Sequence, residues 1–316
     1  MTGAKEDSNT NAPLILNMTP NEYLKTVLEL QKLADDSDEM KELQAHRADV
    51  EKLLRNEFAT SSPTIRYGGS KAKGTLIKES YDLDIICYFP HDDTAAGGSL
   101  EEIYNNVSRA LAKKYLVSPK TSALRLKSND PRTLALDFHI DVVPGRYVDG
   151  ADGDCFIYQA GAEKQRLKTN LEVHINHVRE SGVVDPIKLL KLWKTRRSLQ
   201  IKQFIWELLI IKLLDGKTSE TLAAQLEHVW TEVRDSEDPM SVEDPANPTG
   251  NDLSAAVSAA WPSLRGAADA TLSTLANSGW QAVFGTTKRL DETARVETLS
   301  KAAASASIIT KPWAPR

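Results

Sequence analysis

Between Thr133 and Val143 the residues Leu134, Leu136, Phe138, Ile140 and Val142 alternate strictly with Ala135, Asp137, His139 and Asp141. A period of two leaves little choice of conformation. Successive side chains of an extended chain point to opposite faces, so this segment is a strand with one buried and one polar face. A polar face with two aspartates and a histidine serves a site, not a core. Upstream, Leu83 to Phe89 is an apolar, β-branched and aromatic run, which reads as a second, buried strand. Shorter strands are expected from Thr64 to Tyr67 and from Ser122 to Lys127.

Around these strands the period changes to that of helices. From about Thr19 to Phe58, Leu24, Val27, Leu28 and Leu30, then Leu43, Val50, Leu53 and Leu54, recur at helical spacing behind a Thr19-Pro20 start signal. The charged run from Asp35 to Glu42 reads as a solvated loop or helix face. Ser99 to Leu116 is an amphipathic helix with Ser99 and Glu102 as its capping box. From about Thr169 onward nearly everything reads as helix. Asp185-Pro186 caps a segment with Ile187, Leu189, Leu190, Leu192 and Trp193. The segments 204–214, 219–233 and 253–276 follow, with a turn cluster at 243–251 and the tryptophans filling core. The division expected is a disordered or extended start (1–18), a sheet domain (19–175), a helical domain (176–300) and a tail (301–316).

Composition narrows the class. The 316 residues carry 39 Lys+Arg against 44 Asp+Glu, a net charge of −5, with 41% hydrophobic residues. That is enough to bury a large core, and it argues against a dedicated duplex-binding surface. Two cysteines, Cys87 and Cys155, make neither a disulfide framework nor a thiolate zinc site, so a reducing cytoplasmic location is expected. No apolar run approaches the roughly 20 residues of a membrane span. The opening MTGAKEDSNTNAP lacks the apolar core of a signal peptide.

The chemistry gathers in one stretch. Gly68-Gly69-Ser70 forms a tight turn, Lys71 to Ile77 a short helix or further turn, and then comes Tyr81-Asp82-Leu83-Asp84. Two aspartates two residues apart on a strand face the same way and repel unless a cation lies between them. Hard oxygens of this kind suit Mg²⁺. Asp141 is the candidate third carboxylate, and Asp137 on the same face is the alternative. The glycines let backbone amides turn toward an anion, with the Ser70 hydroxyl beside them. Together these parts suit attack of a hydroxyl on an α-phosphate with pyrophosphate leaving. Lys71 and Lys73 flank the turn, equally suited to phosphate or to the surface. His139 reads as a supporting or structural histidine, and His174, His177 and His228 as surface or structural.

The Gly-Ser turn, Asp-x-Asp and distant Asp resemble the nucleotidyltransferase superfamily that includes DNA polymerase β. Leu190-Lys191-Leu192-Trp193-Lys194, Gln203-Phe204-Ile205-Trp206-Glu207-Leu208-Leu209, Asp244-Pro245-Ala246-Asn247-Pro248-Thr249-Gly250-Asn251 and 280–285 look like the helical domain of oligoadenylate synthases. They are similar also to the bacterial cyclic-oligonucleotide synthases of anti-phage defence (CD-NTases). The resemblance spans about residues 60 to 290. It implies an α+β fold, a polymerase-β-like sheet domain packed on a C-terminal helical bundle and joined by a long N-terminal helix. It implies two Mg²⁺ ions, with Mn²⁺ as a substitute, on Asp82, Asp84 and Asp141. Nucleotide would be held by Gly69, Ser70, Lys191 and Gln203, the lysine on triphosphate and Gln203 beside it. Lys188, Lys194, Arg196 and Arg197 form a basic cluster around Lys191 on its helix, with a solvated helix face as the other reading.

The activity implied is template-independent joining of nucleoside triphosphates into a cyclic di- or trinucleotide second messenger. A linear-product tailing enzyme and an inactive nucleotide-binding module are the alternatives. Nucleoside triphosphates and a regulatory protein partner are the expected partners, with no duplex nucleic acid required and no membrane. The zinc module of the animal cyclic GMP-AMP synthases needs more Cys and His than this chain has.

Overall fold

The structure, a computed structural model, describes residues 18–129 and 137–286. Thr19 opens the first helix, α1 (Pro20–Leu30). Its hydroxyl accepts from the Glu22 amide, the Glu22 carboxylate accepts from the Thr19 amide, and Pro20 takes a first-turn position that needs no donor. The helical stretch does not continue unbroken to Phe58. It stops at Gln31 and restarts as α2 (Asp38–Glu57), where the Ser37 hydroxyl accepts from the Met40 amide. Asp35, Asp36 and Ser37 offer nothing to bury and a good cap, so the single long N-terminal helix is two helices. They serve different cores. Tyr23, Leu24 and Val27 of α1 bury among the C-terminal helices, whereas Met40, Leu43, Val50 and Leu54 of α2 bury against the sheet.

The sheet contains β1 (Thr64–Tyr67), β2 (Leu83–Phe89), β3 (Leu116–Pro119), β4 (Leu124–Lys127) and β5 (Asp137–Tyr147), in the order β1-β2-β5-β4-β3. β6 (Cys155–Tyr158) pairs with β5, and β7 (Arg166–Thr169) with β6. β2 and β5 run parallel; the other pairs are antiparallel. α2 and α4 (Leu100–Ala112) cover one face. Leu83, Ile85, Cys87 and Phe89 of β2, Leu124 and Leu126 of β4, and Ile140 and Val142 of β5 all point into that core. On the opposite face Ile86 and Tyr88 pack with Tyr147, Cys155 and Ile157. β2 is thus buried on both sides, which is why its sequence is continuously apolar while β5 alternates.

Some boundaries move. The helix expected to reach Leu116 ends at Ala112, and Leu116 opens β3, a strand with too little burial to print an alternation. The Ser99 hydroxyl caps the Glu102 amide, but the Glu102 carboxylate accepts from Gly98, not from Ser99. β5 runs beyond Val143 to Tyr147; residues 133–136 lie outside the described residues. So do the side chain of Asp137, the first 12 residues and the tail after Ser300.

The helical half comprises α5 (Leu171–Arg179), α6 (Val184–Arg196), α7 (Gln203–Leu213), α8 (Leu222–Asp235), α9 (Ser254–Ser278) and α10 (Trp280–Phe284). Asp185 and Pro186 fall within the first turn of α6 rather than capping it. Trp193, Trp206, Trp230, Trp261 and Trp280 share one core. In the turn cluster the buried Asp244 accepts from the Ala246 amide (2.9 Å) and Asn251 Nδ2 (2.7 Å), with His174 Nε2 2.7 Å away. His174, read from sequence as surface or structural for want of a partner, thus has one in the buried Asp244. Among the described residues no helix is long and apolar enough to cross a membrane.

Because α1 is core to the helical half, Leu24→Ala, which truncates a fully buried side chain, is expected to cost about 2–5 kcal/mol in urea denaturation. The exposed Lys32→Ala should stay within about 0.5 kcal/mol.

Candidate active site

The sheet register sets the site. Asp84 on β2 pairs with Asp141 on β5, and Asp141 pairs with Arg125 on β4. These three residues form one row across three strands, on the face away from α2 and α4. Asp82 stands just ahead of β2. The Arg125 guanidinium grips both outer acids. Its Nε and Nη2 donate to Asp141 at 2.5 and 2.9 Å, and its Nη1 and Nη2 donate to Asp82 at 3.2 and 3.1 Å. Lys120, in the β3–β4 turn, adds a bond to Asp141 at 2.7 Å. His139 Nδ1 lies 3.2 Å from Asp82 Oδ1. His139 adopts φ 56°, and the β4–β5 pairing slips between Leu126 and Lys127. Bulges of this kind re-aim side chains beside sites.

Charge explains the electrostatics. Burial pushes the Asp84 carboxyl up to about 6, and the negative charges of Asp141 and Asp82 push the same way. For Asp82 the rise from burial is outweighed by His139 and Arg125, which hold it below its ordinary value.

The Gly-Ser turn reaches the row from the β1 side. The Gly68 amide donates to the Asp84 carbonyl at 2.7 Å. Gly69 has φ +49°, and a Cβ there would lie 1.6 Å from Asp84 Oδ2. A side chain at position 69 would therefore be strained by its backbone and would displace the Asp84 carboxylate. Ser70 follows in α3 (Gly69–Lys73), and Lys191 Nζ donates to its hydroxyl at 3.0 Å and to the Thr75 carbonyl at 3.4 Å. Burial lowers Lys191 to about 8, against the opposing attraction of Glu207, Asp82 and Asp84. Lys191 is thus a buried amine of the helical half aimed at the serine of the sheet half.

Five of the seven expected site residues, Asp82, Asp84, Asp141, Gly69 and Ser70, lie along one sheet end, and Lys191 joins them from α6. Gln203 meets Lys194 and Glu207, each at 3.4 Å. The flanking lysines face other tasks. Lys73 is buried and pairs with Glu207 at 2.8 Å, while Lys71 pairs with Asp35 at 2.6 Å. Nor is α6 an open basic face: Lys188 pairs with Asp185, Arg196 with Glu79, and Arg197 lies over the Trp193 ring.

Solved structures with the same fold include E. coli MS115-1 CdnC with ATP, at TM-score 0.61 and 19% identity over 83% of this chain and 98% of that one. The Bradyrhizobium diazoefficiens CD-NTase CdnG in complex with GTP aligns at TM-score 0.60 and 12% identity, over 89% of this chain and 98% of that one. The Cid1 poly(U) polymerase with MgGTP aligns at TM-score 0.55 and 14% identity, over 86% and 99% respectively. No known family's profile matches the sequence, and no curated protein does. The likeness is one of fold: a polymerase-β-like sheet unit packed on C-terminal helices.

Three further residues enter the site region unannounced by the sequence: Arg125, Lys120 and Glu207. The Leu124/Leu126 alternation did put Arg125 on a polar face, but only strand pairing reveals that Asp141 shares it. Glu207 sits between apolar neighbours on α7, 1% exposed, and accepts from Lys73 Nζ (2.8 Å) and the Thr75 hydroxyl (3.0 Å). It joins α7 to the segment that carries Ser70. Glu207→Ala, which strands the buried Lys73 ammonium, is expected to cost about 3–5 kcal/mol in urea denaturation. The double variant Lys73→Met/Glu207→Leu should cost less than that single change, because the Lys73 ammonium is then no longer left buried and unpaired.

Proposed function

We propose that this chain is a template-independent nucleotidyltransferase. It joins nucleoside triphosphates into a cyclic di- or trinucleotide second messenger, releases pyrophosphate and serves in anti-phage signalling. The observation that carries the reading is the row of Asp84 and Asp141 with Asp82 at its end, facing Ser70 and Lys191 across the joint between the two halves. The shared fold with CdnC solved with ATP and CdnG solved with GTP supports it.

The acids suit a divalent metal. They are hard oxygen donors on adjoining strands, they raise one another's charge cost, and they already draw two cationic side chains. Among the described residues no three His, Cys, Asp or Glu groups are closed into a metal cage, since Asp82 and Asp141 are turned onto Arg125. Two Mg²⁺ ions on Asp82, Asp84 and Asp141, with Mn²⁺ as a substitute, would supply activation of the attacking hydroxyl and charge neutralisation on the leaving pyrophosphate. The protein's own residues do the positioning. Ser70 and Lys191 hold the triphosphate, Gly69 lets the turn approach Asp84, and Gln203 orders the Lys194–Glu207 edge of the pocket. Cyclisation takes two such attacks in one site, the linear intermediate being released and rebound, or turning over, between them. Free nucleotides are the substrates, duplex nucleic acid is not required, a protein partner regulates the enzyme, and the site of action is the cytoplasm.

A linear-product tailing activity is the second reading, favoured by the fold shared with the Cid1 poly(U) polymerase. Incubation with ATP, GTP, CTP and UTP and Mg²⁺, followed by mass spectrometry, separates the two. A phosphatase- and exonuclease-resistant product supports the cyclic reading, and a primer-stimulated, exonuclease-sensitive product the linear one. Asp82→Asn/Asp84→Asn should reduce turnover by about 10³-fold or more; unchanged product formation would remove the metal site from the reading.

Lys191 binds anions only as the ammonium, and its pKa lies near 8. kcat/KM for nucleotide should therefore fall as pH rises through about 8. Lys191→Arg, charged throughout, should abolish that limb of the profile.

A further inference from the structure

Arg125 bridges Asp82 and Asp141 with four N–H···O bonds between 2.5 and 3.2 Å, and its side chain is only 12% exposed. It rises from a strand, directly opposite Asp141 in the register. Such a fork is shape-matched to carboxylates and to phosphates alike. Lys120 adds a second cation to Asp141. The oxygens that these side chains hold are those assigned above to the metal. A divalent ion and a guanidinium cannot share them without facing each other as like charges at close range.

We propose that Arg125 is a resident counter-cation that competes with divalent metal for Asp82 and Asp141 and passes to the phosphates of an incoming nucleoside triphosphate when the metal enters. Metal and triphosphate then each bind weakly alone and strengthen one another's binding. The metal alone meets an occupied carboxylate pair, and the triphosphate alone finds the guanidinium engaged. When both arrive, the fork exchanges a carboxylate for a phosphate oxygen and keeps its charge satisfied. Lys120, more exposed and held by a single bond, follows Arg125 in the same exchange. Arg125 is thus a positioning residue in the resting protein and a phosphate contact in the loaded one. The proposal rests on the reading of the three acids as metal ligands.

The test is equilibrium binding of Mn²⁺ to the full chain, followed by electron paramagnetic resonance, with and without a non-hydrolysable ATP analogue. Arg125→Gln should bind Mn²⁺ alone about tenfold or more tightly than the parent chain, since one positive charge and its four bonds no longer compete. The analogue should tighten Mn²⁺ binding strongly in the parent chain and much less in Arg125→Gln. Arg125→Lys keeps the charge but loses the fork, so it should fall between the two. It decides the matter if Arg125→Gln does not fold. Unchanged Mn²⁺ affinity in the folded variant overturns the proposal, as does undiminished tightening by the analogue. Asp84→Asn, which Arg125 does not touch, tests the underlying reading separately. If it binds Mn²⁺ as well as the parent chain, the metal-site assignment fails, whatever Arg125 does.

Discussion

Carboxylates brought to one end of a sheet repel, and the neighbourhood of the site is arranged around that repulsion. Asp84 and Asp141 face each other because β2 and β5 are parallel neighbours in one register, and Asp82 follows from the two-residue spacing ahead of β2. Side-chain rotation can turn such carboxylates but cannot move their strands apart. Positive charge has to come to them. Arg125 arrives by the same device, one strand further along the row, and Lys120 from the turn that joins β3 to β4. Asp84, which neither touches, has its carboxyl raised to about 6, by its burial first and by the charges of Asp141 and Asp82 after it.

A second constraint joins the halves. The polar residues at the joint are few and buried: Lys73, Thr75, Lys191 and Glu207 are each at most 7% exposed. Burying four such groups is tolerable only if each is paired. Glu207 satisfies Lys73 and Thr75, and Lys191 reaches Ser70 and the Thr75 carbonyl. The Gly-Ser turn is therefore clamped by the helical half rather than hung from the sheet alone. The N-terminal segment strengthens the connection. α1 packs in the helical core, and its C-terminal Gln31 binds Glu79, which in turn holds Arg196 of α6.

Much of this was legible in the order of residues. The strands that carry the acids announce themselves by period and composition, because burial on one face or two leaves different patterns. Asp82, Asp84, Asp141, Gly69, Ser70 and Lys191 were all named from spacing and resemblance, and the structure brings them to one region. What stayed hidden depends on partners distant in sequence. Arg125 acquires its meaning from the register of β4 against β5, and Lys73 from a glutamate on α7. β6 and β7, four residues each, went unread from the sequence. The apparent basic face of α6 misled because charge in a sequence says nothing of neighbours such as Asp185 and Glu79.

That last point bears on how a chain of net charge −5 would hold a triphosphate, as proposed above. A surface rich in unpaired lysines would attract any polyanion, nucleic acid included. Here the cations nearest the site are committed: Arg125 and Lys120 to the acids, Lys73 to Glu207, Arg196 to Glu79. Lys191 differs in kind. Its partners at Ser70 and Thr75 are neutral oxygens, so its charge is hydrogen-bonded but not neutralised by a direct ion pair. A buried ammonium without a contacting carboxylate is costly, which is why its pKa falls to about 8. The same cost makes an incoming phosphate its strongest available partner. On the proposed reading, selectivity for a small, compact polyanion would follow from burial, since a duplex could not follow a nucleotide to a side chain that is 4% exposed.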